Sequence, residues 1–303
     1  MRFKFLRKYK KNEIMESLTG YCFLTPALIF FIIFMVYPFF QSLLLSFFKW
    51  DGIGAWEFNG VKNYIEMFTK DRYIFIALRN TIIYSFSATF GTVVVGFILA
   101  IFIDSKIKFW RIYRIIFFLT YILSVIAVGL LWTKIFALDG LLNSLLGVIN
   151  LQKLQIAWLN NPIRSVLLMA FIGVWQYSSF PMVLFLAGMQ NINEEIYEAA
   201  RIDGASKLRT IFSITIPVLK DLFSIVIILQ LIFSFKVFDI VYIMTGGGPA
   251  SQTEVLGTLI YRYAFKQFKF GFASVLSVIM ILLAIVYSFL YSRVSRYHSE
   301  IKD

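Results

Sequence analysis

Six stretches of this chain are each long and apolar enough to cross a lipid bilayer. They run from Gly20 to Phe48, Thr81 to Ile103, Ile112 to Phe136, Ile163 to Met189, Leu222 to Met244 and Phe270 to Ser292. A spanning helix needs roughly 20 mostly apolar residues, because lipid offers the backbone no hydrogen-bond partners and each segment must satisfy its own. The pattern predicts an all-α, polytopic membrane fold of six spans. The longest stretches between spans, 49–80 and 190–221, are too short for a separate globular domain. Composition excludes the alternatives: 59% of the 303 residues are hydrophobic and 15% charged, against about 45–50% and about 25% in soluble domains. Disorder needs low hydrophobicity and is excluded too.

The first run follows a basic tail (residues 1–19, with Arg2, Lys4, Arg7, Lys8, Lys10 and Lys11). A signal-peptide core is about 7–15 residues long and ends at small residues. This run is nearly twice as long and ends in Phe47, Phe48 and Lys49, so it reads as a retained anchor. Lys and Arg number 6, 4, 4 and 3 in the N-tail, 104–114, 190–221 and the C-tail 293–303, and 5, 1 and 3 in 49–79, 138–162 and 245–269. That asymmetry places both termini and the loops 104–114 and 190–221 in the cytoplasm. The net charge of +12 is thereby orientation charge near anionic headgroups rather than a nucleic-acid footprint.

One cysteine, Cys22, and one histidine, His298, allow neither an internal disulfide nor a His/Cys metal cluster. No G-x-x-x-x-G-K-[S/T] occurs, so the chain lacks the P-loop means of binding ATP. If ATP drives the protein, another subunit binds it.

The segment from Asn191 to Pro217 reads NINEEIYEAARIDGASKLRTIFSITIP. Asn193 is a good N-cap, and Glu194 and Glu195 sit where the helix dipole favours anions. Gly204 can take the left-handed conformation that stops the helix. A second amphipathic run, Ser206 to Ile216, returns the chain to the membrane. Helix physics alone reads this as an interfacial helix between two spans.

The same segment resembles the EAA loop of ABC importer permeases: E-A-A, three residues, G, nine residues, I-x-L-P. Here Glu198-Ala199-Ala200, Gly204 and Ile214-Thr215-Ile216-Pro217 keep that spacing, with Ile216 for the usual Leu. The resemblance implies a coupling helix docking into an ATPase subunit, with Glu198, Ala199, Ala200, Asp203 and Gly204 as its coupling residues. Other stretches are similar to the first permease subunit of carbohydrate importers, the maltose or glycerol-phosphate type. They are Phe58-Asn59-Gly60-Val61-Lys62-Asn63-Tyr64, Asn80-Thr81, Lys236-Val237-Phe238-Asp239, Thr245-Gly246-Gly247-Gly248-Pro249 and Thr253-Glu254-Val255-Leu256. That family implies a type I ABC importer fold, a second homologous permease, two ATPase subunits that carry ATP and Mg, and an extracytoplasmic solute-binding protein. No cofactor is expected on this chain.

Within the spans the ionisable residues are few. Lys134 lies late in span three, and Lys236 and Asp239 late in span five. Their i, i+3 spacing suits an ion pair at a helix end better than a proton relay. Span four offers Gly173, Gln176 and Tyr177, followed by Pro181, which loosens a helix near the midplane. Span five offers Gln230 and Ser234 on one face. These polar groups serve either as interhelical glue, at about 0.6 kcal/mol per bond, or as contacts to a hydroxyl-rich solute. The resemblance favours the second role, because maltose-type permeases contact sugar in the matching windows. It implies a permease for a sugar or oligosaccharide in a bacterial cytoplasmic membrane, without bond chemistry of its own. The alternatives are a permease for glycerol-phosphate or another non-sugar solute, and a secondary transporter acting alone.

Overall fold

A computed structural model describes the backbone of residues 20–300, with side chains to Tyr287 and at Phe289. The basic N-tail 1–19 lies outside the described residues, as do residues 301–303 and the side chains of the C-tail 293–303. Four stretches form helices long and apolar enough to cross a membrane unaided: Gly20–Leu45, Arg72–Asp104, Lys220–Met244 and Phe270–Tyr287. The last belongs to a helix that continues to Glu300, past the expected end at 292. The second begins nine residues before the expected Thr81, because Asp71 caps it by accepting a 2.8 Å hydrogen bond from the Tyr73 N–H.

Three expected spans are interrupted. The third is two helices, Trp110–Ile122 and Val125–Ile135, bent by 92°. Leu123 and Ser124 are extended there, at ψ 140° and 126°, with no proline or glycine involved. The fourth is Pro162–Tyr177 followed by Ser179–Gln190. Its interruption at Ser178 has a cause in sequence: Pro181 has no N–H to offer the Tyr177 carbonyl four residues back, and its ring crowds that turn. The fifth span also breaks, with helices Lys220–Phe235 and Asp239–Met244 separated by residues 236–238. Lys236 and Asp239 therefore do not share a helix face, and no ion pair joins them among the described residues.

The second span is the central post. It contributes Ile74 and Ala77 to one core cluster, Tyr84 and Ala88 to another, and Val93 and Phe97 to a third. A helix apolar on all sides is either buried or a membrane span; one side of this one packs against all three clusters, while Phe75, Phe86, Phe90 and Ile98 stay exposed on the other. The first span is the opposite case: its large side chains are exposed along most of its length, and its 37–45 part packs on the sixth.

At the end of the bundle away from the 190–217 loop, residues distant in sequence are clasped together. Asn80 Nδ2 donates to the carbonyls of Gln252 and Glu254 at 2.8 and 2.9 Å, and Thr81 Oγ1 accepts from the Leu256 N–H at 2.9 Å. Glu254 pairs with Arg262 at 3.1 Å and accepts from the Thr258 hydroxyl. Arg262 also stacks 4.4 Å from the centre of the Tyr73 ring. Burial raises the Glu254 carboxyl above its ordinary value, against the lowering pull of Thr258, Arg262 and Lys266. A minimal hairpin, Phe48–Lys49 against Glu57–Phe58, is the one strand pair among the described residues and sits in the loop after span one.

Candidate functional site

The 190–217 loop forms a helix, Glu194–Ile202. Asn193 Oδ1 accepts from the Glu195 N–H at 3.1 Å and caps its start. Its end is a Schellman turn: the Ala205 N–H donates to Ala200 O and the Gly204 N–H to Arg201 O, at 2.9 and 3.1 Å. Gly204 sits at φ +73° with no atom within 4 Å of where a Cβ would be, so glycine is there for its backbone and not for space. A hydrogen bond between the Tyr197 and Thr215 hydroxyls, 3.2 Å, ties this helix to the returning chain. Glu198, Ala199, Asp203 and Gly204 are exposed, while Ala200 is buried against its own chain. The large apolar side chains that project are Ile202, Leu208 and Phe212, at 86%, 69% and 67% exposure. Phe212 is not among the coupling residues expected from the sequence. Its signal was the amphipathic spacing that continues four residues on from Leu208.

Inside the bundle a cavity of about 160 Å³ is lined by spans two to five. Of the five polar or small residues singled out in spans four and five, Gly173, Tyr177, Gln230 and Ser234 all line it. Gly173 leaves room for Tyr84, whose hydroxyl would lie 2.8 Å from an added Cβ. Tyr177 and Phe233 form an edge-to-face pair at 5.2 Å in the same wall. Thr92 Oγ1 donates to Gln230 Oε1, and Thr89 Oγ1 to Ser234 Oγ, both at a long 3.4 Å. The Gln230 amide nitrogen is paired with no acceptor among the described residues, so two donors remain for a solute.

Gln176 is placed elsewhere. It is 1% exposed and does not line the cavity. Its Nε2 donates to the Leu123 carbonyl at 3.0 Å, at the break in span three, and Thr120 Oγ1 donates back to the Gln176 carbonyl at 3.3 Å. The side chain thus supplies the hydrogen bond that the interrupted helix has lost.

All three helix breaks meet at the cavity. Val125 follows the first, Tyr177 precedes the second, and Lys236, Val237 and Phe238 form the third, with Asp239 beside them. Irregular backbone at membrane depth is tolerated where it lines a cavity or is buried in protein. Sequence reasoning found Lys236 and Asp239 but assigned them to an ion pair. It missed Tyr84, Ala88 and Thr92, whose i, i+4, i+8 spacing marks one stripe of span two.

Residues 92–297 match the family described as the binding-protein-dependent transport system inner membrane component. The probable ABC transporter permease protein YurN of Bacillus subtilis is 35% identical over 277 residues, covering 90% of this chain and 94% of that one. The multiple sugar-binding transport system permease protein MsmF of Streptococcus mutans is 31% identical over 286 residues, covering 94% and 98%. A bacterial alginate ABC transporter, solved with an alginate pentasaccharide-bound periplasmic protein, has a chain that superposes with a TM-score of 0.81 over 94% of this chain and 96% of that one, at 21% identity. The interrupted spans around a polar cavity, the capped 190–217 helix and these likenesses converge: the chain belongs to the binding-protein-dependent transport family as a multi-pass inner-membrane permease component of an ABC transporter.

Proposed function

We propose that the cavity holds a sugar or oligosaccharide in transit across a bacterial cytoplasmic membrane. The observation that carries this is the lining: Gln230, Ser234 and Tyr177 offer neutral hydrogen-bonding groups between aromatic walls, at the point where three helices break. Hydroxyl-rich solutes need such partners more than net charge. Lys236 also lines the cavity, but Asp239 stands in the same wall and offsets it, which disfavours a phosphorylated solute such as glycerol-phosphate. The name of MsmF points the same way.

On this reading both termini and the loops 104–114 and 190–221 are cytoplasmic. A second permease completes the pathway, two ATPase subunits bind ATP with Mg, and a solute-binding protein delivers the sugar. Closure of the ATPase dimer pulls on the 190–217 helix through Glu198, Ala199 and Asp203 and the apolar knobs beside them. That movement reaches span four directly, because the helix follows Gln190, and span five through the return at Pro217. Reconstitution tests it: sugar uptake into vesicles should require this chain, the second permease, the ATPase and ATP together. Uptake by the purified chain alone would refute the proposal and favour a secondary transporter.

A further inference from the structure

We infer that the segment 138–152 lies on the bilayer as an interfacial helix, with its apolar face in the leaflet opposite the 190–217 loop. The helix Leu141–Val148 follows the second half of span three. Leu141, Leu145 and Val148 recur at helical spacing on one side, with Leu138 in the turn before the helix and Ile149 at its C-cap. In that order they are 57%, 52%, 79%, 69% and 60% exposed. No charged residue occurs from Gly140 to Gln152; Asp139 and Lys153 flank the stretch, where their charges can reach headgroups.

The opposite side of the helix is fastened down. Asn143 is buried, donates to the carbonyls of Leu138 and Ile156 at 2.9 and 3.0 Å, and accepts from Trp158 Nε1 at 2.9 Å. Gln155 Nε2 donates to the Asn143 carbonyl at 2.7 Å. The helix is therefore locked to the stretch 152–160. That stretch meets Pro162–Tyr177 of span four at 88°, so it runs along the membrane plane.

What covers the apolar face follows from three points. An exposed aliphatic patch of this kind is unfavourable in water. The preceding helix, Val125–Ile135, likewise leaves Leu130 and Leu131 more than half exposed, so the apolar surface runs on from a segment expected to span the membrane. The exposed charges Asp139 and Lys153, with Asn150 and Gln152, sit at the two ends of the segment, where headgroups can meet them. A short helix, uncharged on its apolar side and held in plane, is suited to the headgroup–acyl boundary.

The test uses the full chain with Cys22→Ser and one new cysteine, Val148→Cys or Leu145→Cys, labelled with the fluorophore NBD and reconstituted into phosphatidylcholine vesicles. We expect blue-shifted emission that loses most of its intensity when the lipid carries a doxyl quencher at acyl carbon 5. Asn150→Cys, just past the helix, should be quenched much less. Emission typical of water and indifferent to doxyl lipid at both 145 and 148 would overturn the inference. So would emission that becomes shielded only when a solute-binding protein docks, which would make the face a protein interface.

Discussion

Gln176→Leu should cost stability first and transport second, and Gln230→Leu should do the reverse. Gln176 is fully buried and braces the break in span three through its 3.0 Å bond to the Leu123 carbonyl. Leucine fills the same volume without the donor. A buried carbonyl left unpaired costs about 1–3 kcal/mol, whereas side-chain bonds inside membrane proteins average about 0.6 kcal/mol. The cavity begins two residues away at Val125, so water can reach the freed carbonyl and the lower end applies, about 1 kcal/mol. That corresponds to a drop in Tm of roughly 2–4 °C. Gln230 has only a long 3.4 Å bond to Thr92 to lose, so its leucine variant should stay within about 0.5 kcal/mol of the parent. Its loss to a sugar hydroxyl, at about 1–3 kcal/mol, translates to a roughly 5- to 150-fold weaker hold on the solute. The assay is thermal unfolding of the assembled transporter beside ATP-driven uptake and ATP hydrolysis in vesicles. If Gln176→Leu abolishes uptake at unchanged Tm, or Gln230→Leu leaves uptake intact, the division of labour argued here is wrong.

Gly204→Val should release or uncouple the ATPase. No atom would clash with the new side chain, so the damage is the left-handed backbone at φ +73°, about 1–2 kcal/mol for an ordinary residue and more for a β-branched one. Gly204→Asn should retain most of the function, and equal co-purification of the ATPase with both variants would contradict this. The Glu254 carboxyl titrates above its ordinary value because it is buried. Its folded form therefore holds a proton more tightly than its unfolded form, and stability declines as pH rises from about 4.5 through the raised value. Glu254→Gln should flatten that part of the stability–pH curve, and an unchanged slope in the variant would count against the assignment.

The membrane-spanning character was legible because lipid imposes one rule on every residue of a segment, and four of the expected spans are stretches long and apolar enough to cross. The breaks were harder to read. Pro181 announced the loosening at Ser178, but nothing local distinguishes Leu123-Ser124, whose extended backbone is held by a partner some fifty residues away in span four. Spacing alone could not separate Gln176 from Gln230, since both are buried amides in mid-span. What separates them is whether the side chain meets a carbonyl or a cavity, and that depends on how the third span bends. Lys236 and Asp239 misled because helical spacing was assumed across residues 236–238, where the helix unwinds. The capped turn at Gly204, by contrast, depends only on neighbouring residues and was readable in full.

The clasp between Asn80-Thr81 and residues 252–256 also sets an order of events during synthesis. Thr81 waits for the amide of Leu256, 175 residues downstream. At about 5–20 residues per second the delay is roughly 10–35 s. Spans two to four must therefore enter the bilayer and find one another before that end of the bundle can be fastened. A nascent chain truncated anywhere before Leu256 would carry inserted helices but an open far end, a form that quality-control proteases could distinguish from the finished subunit.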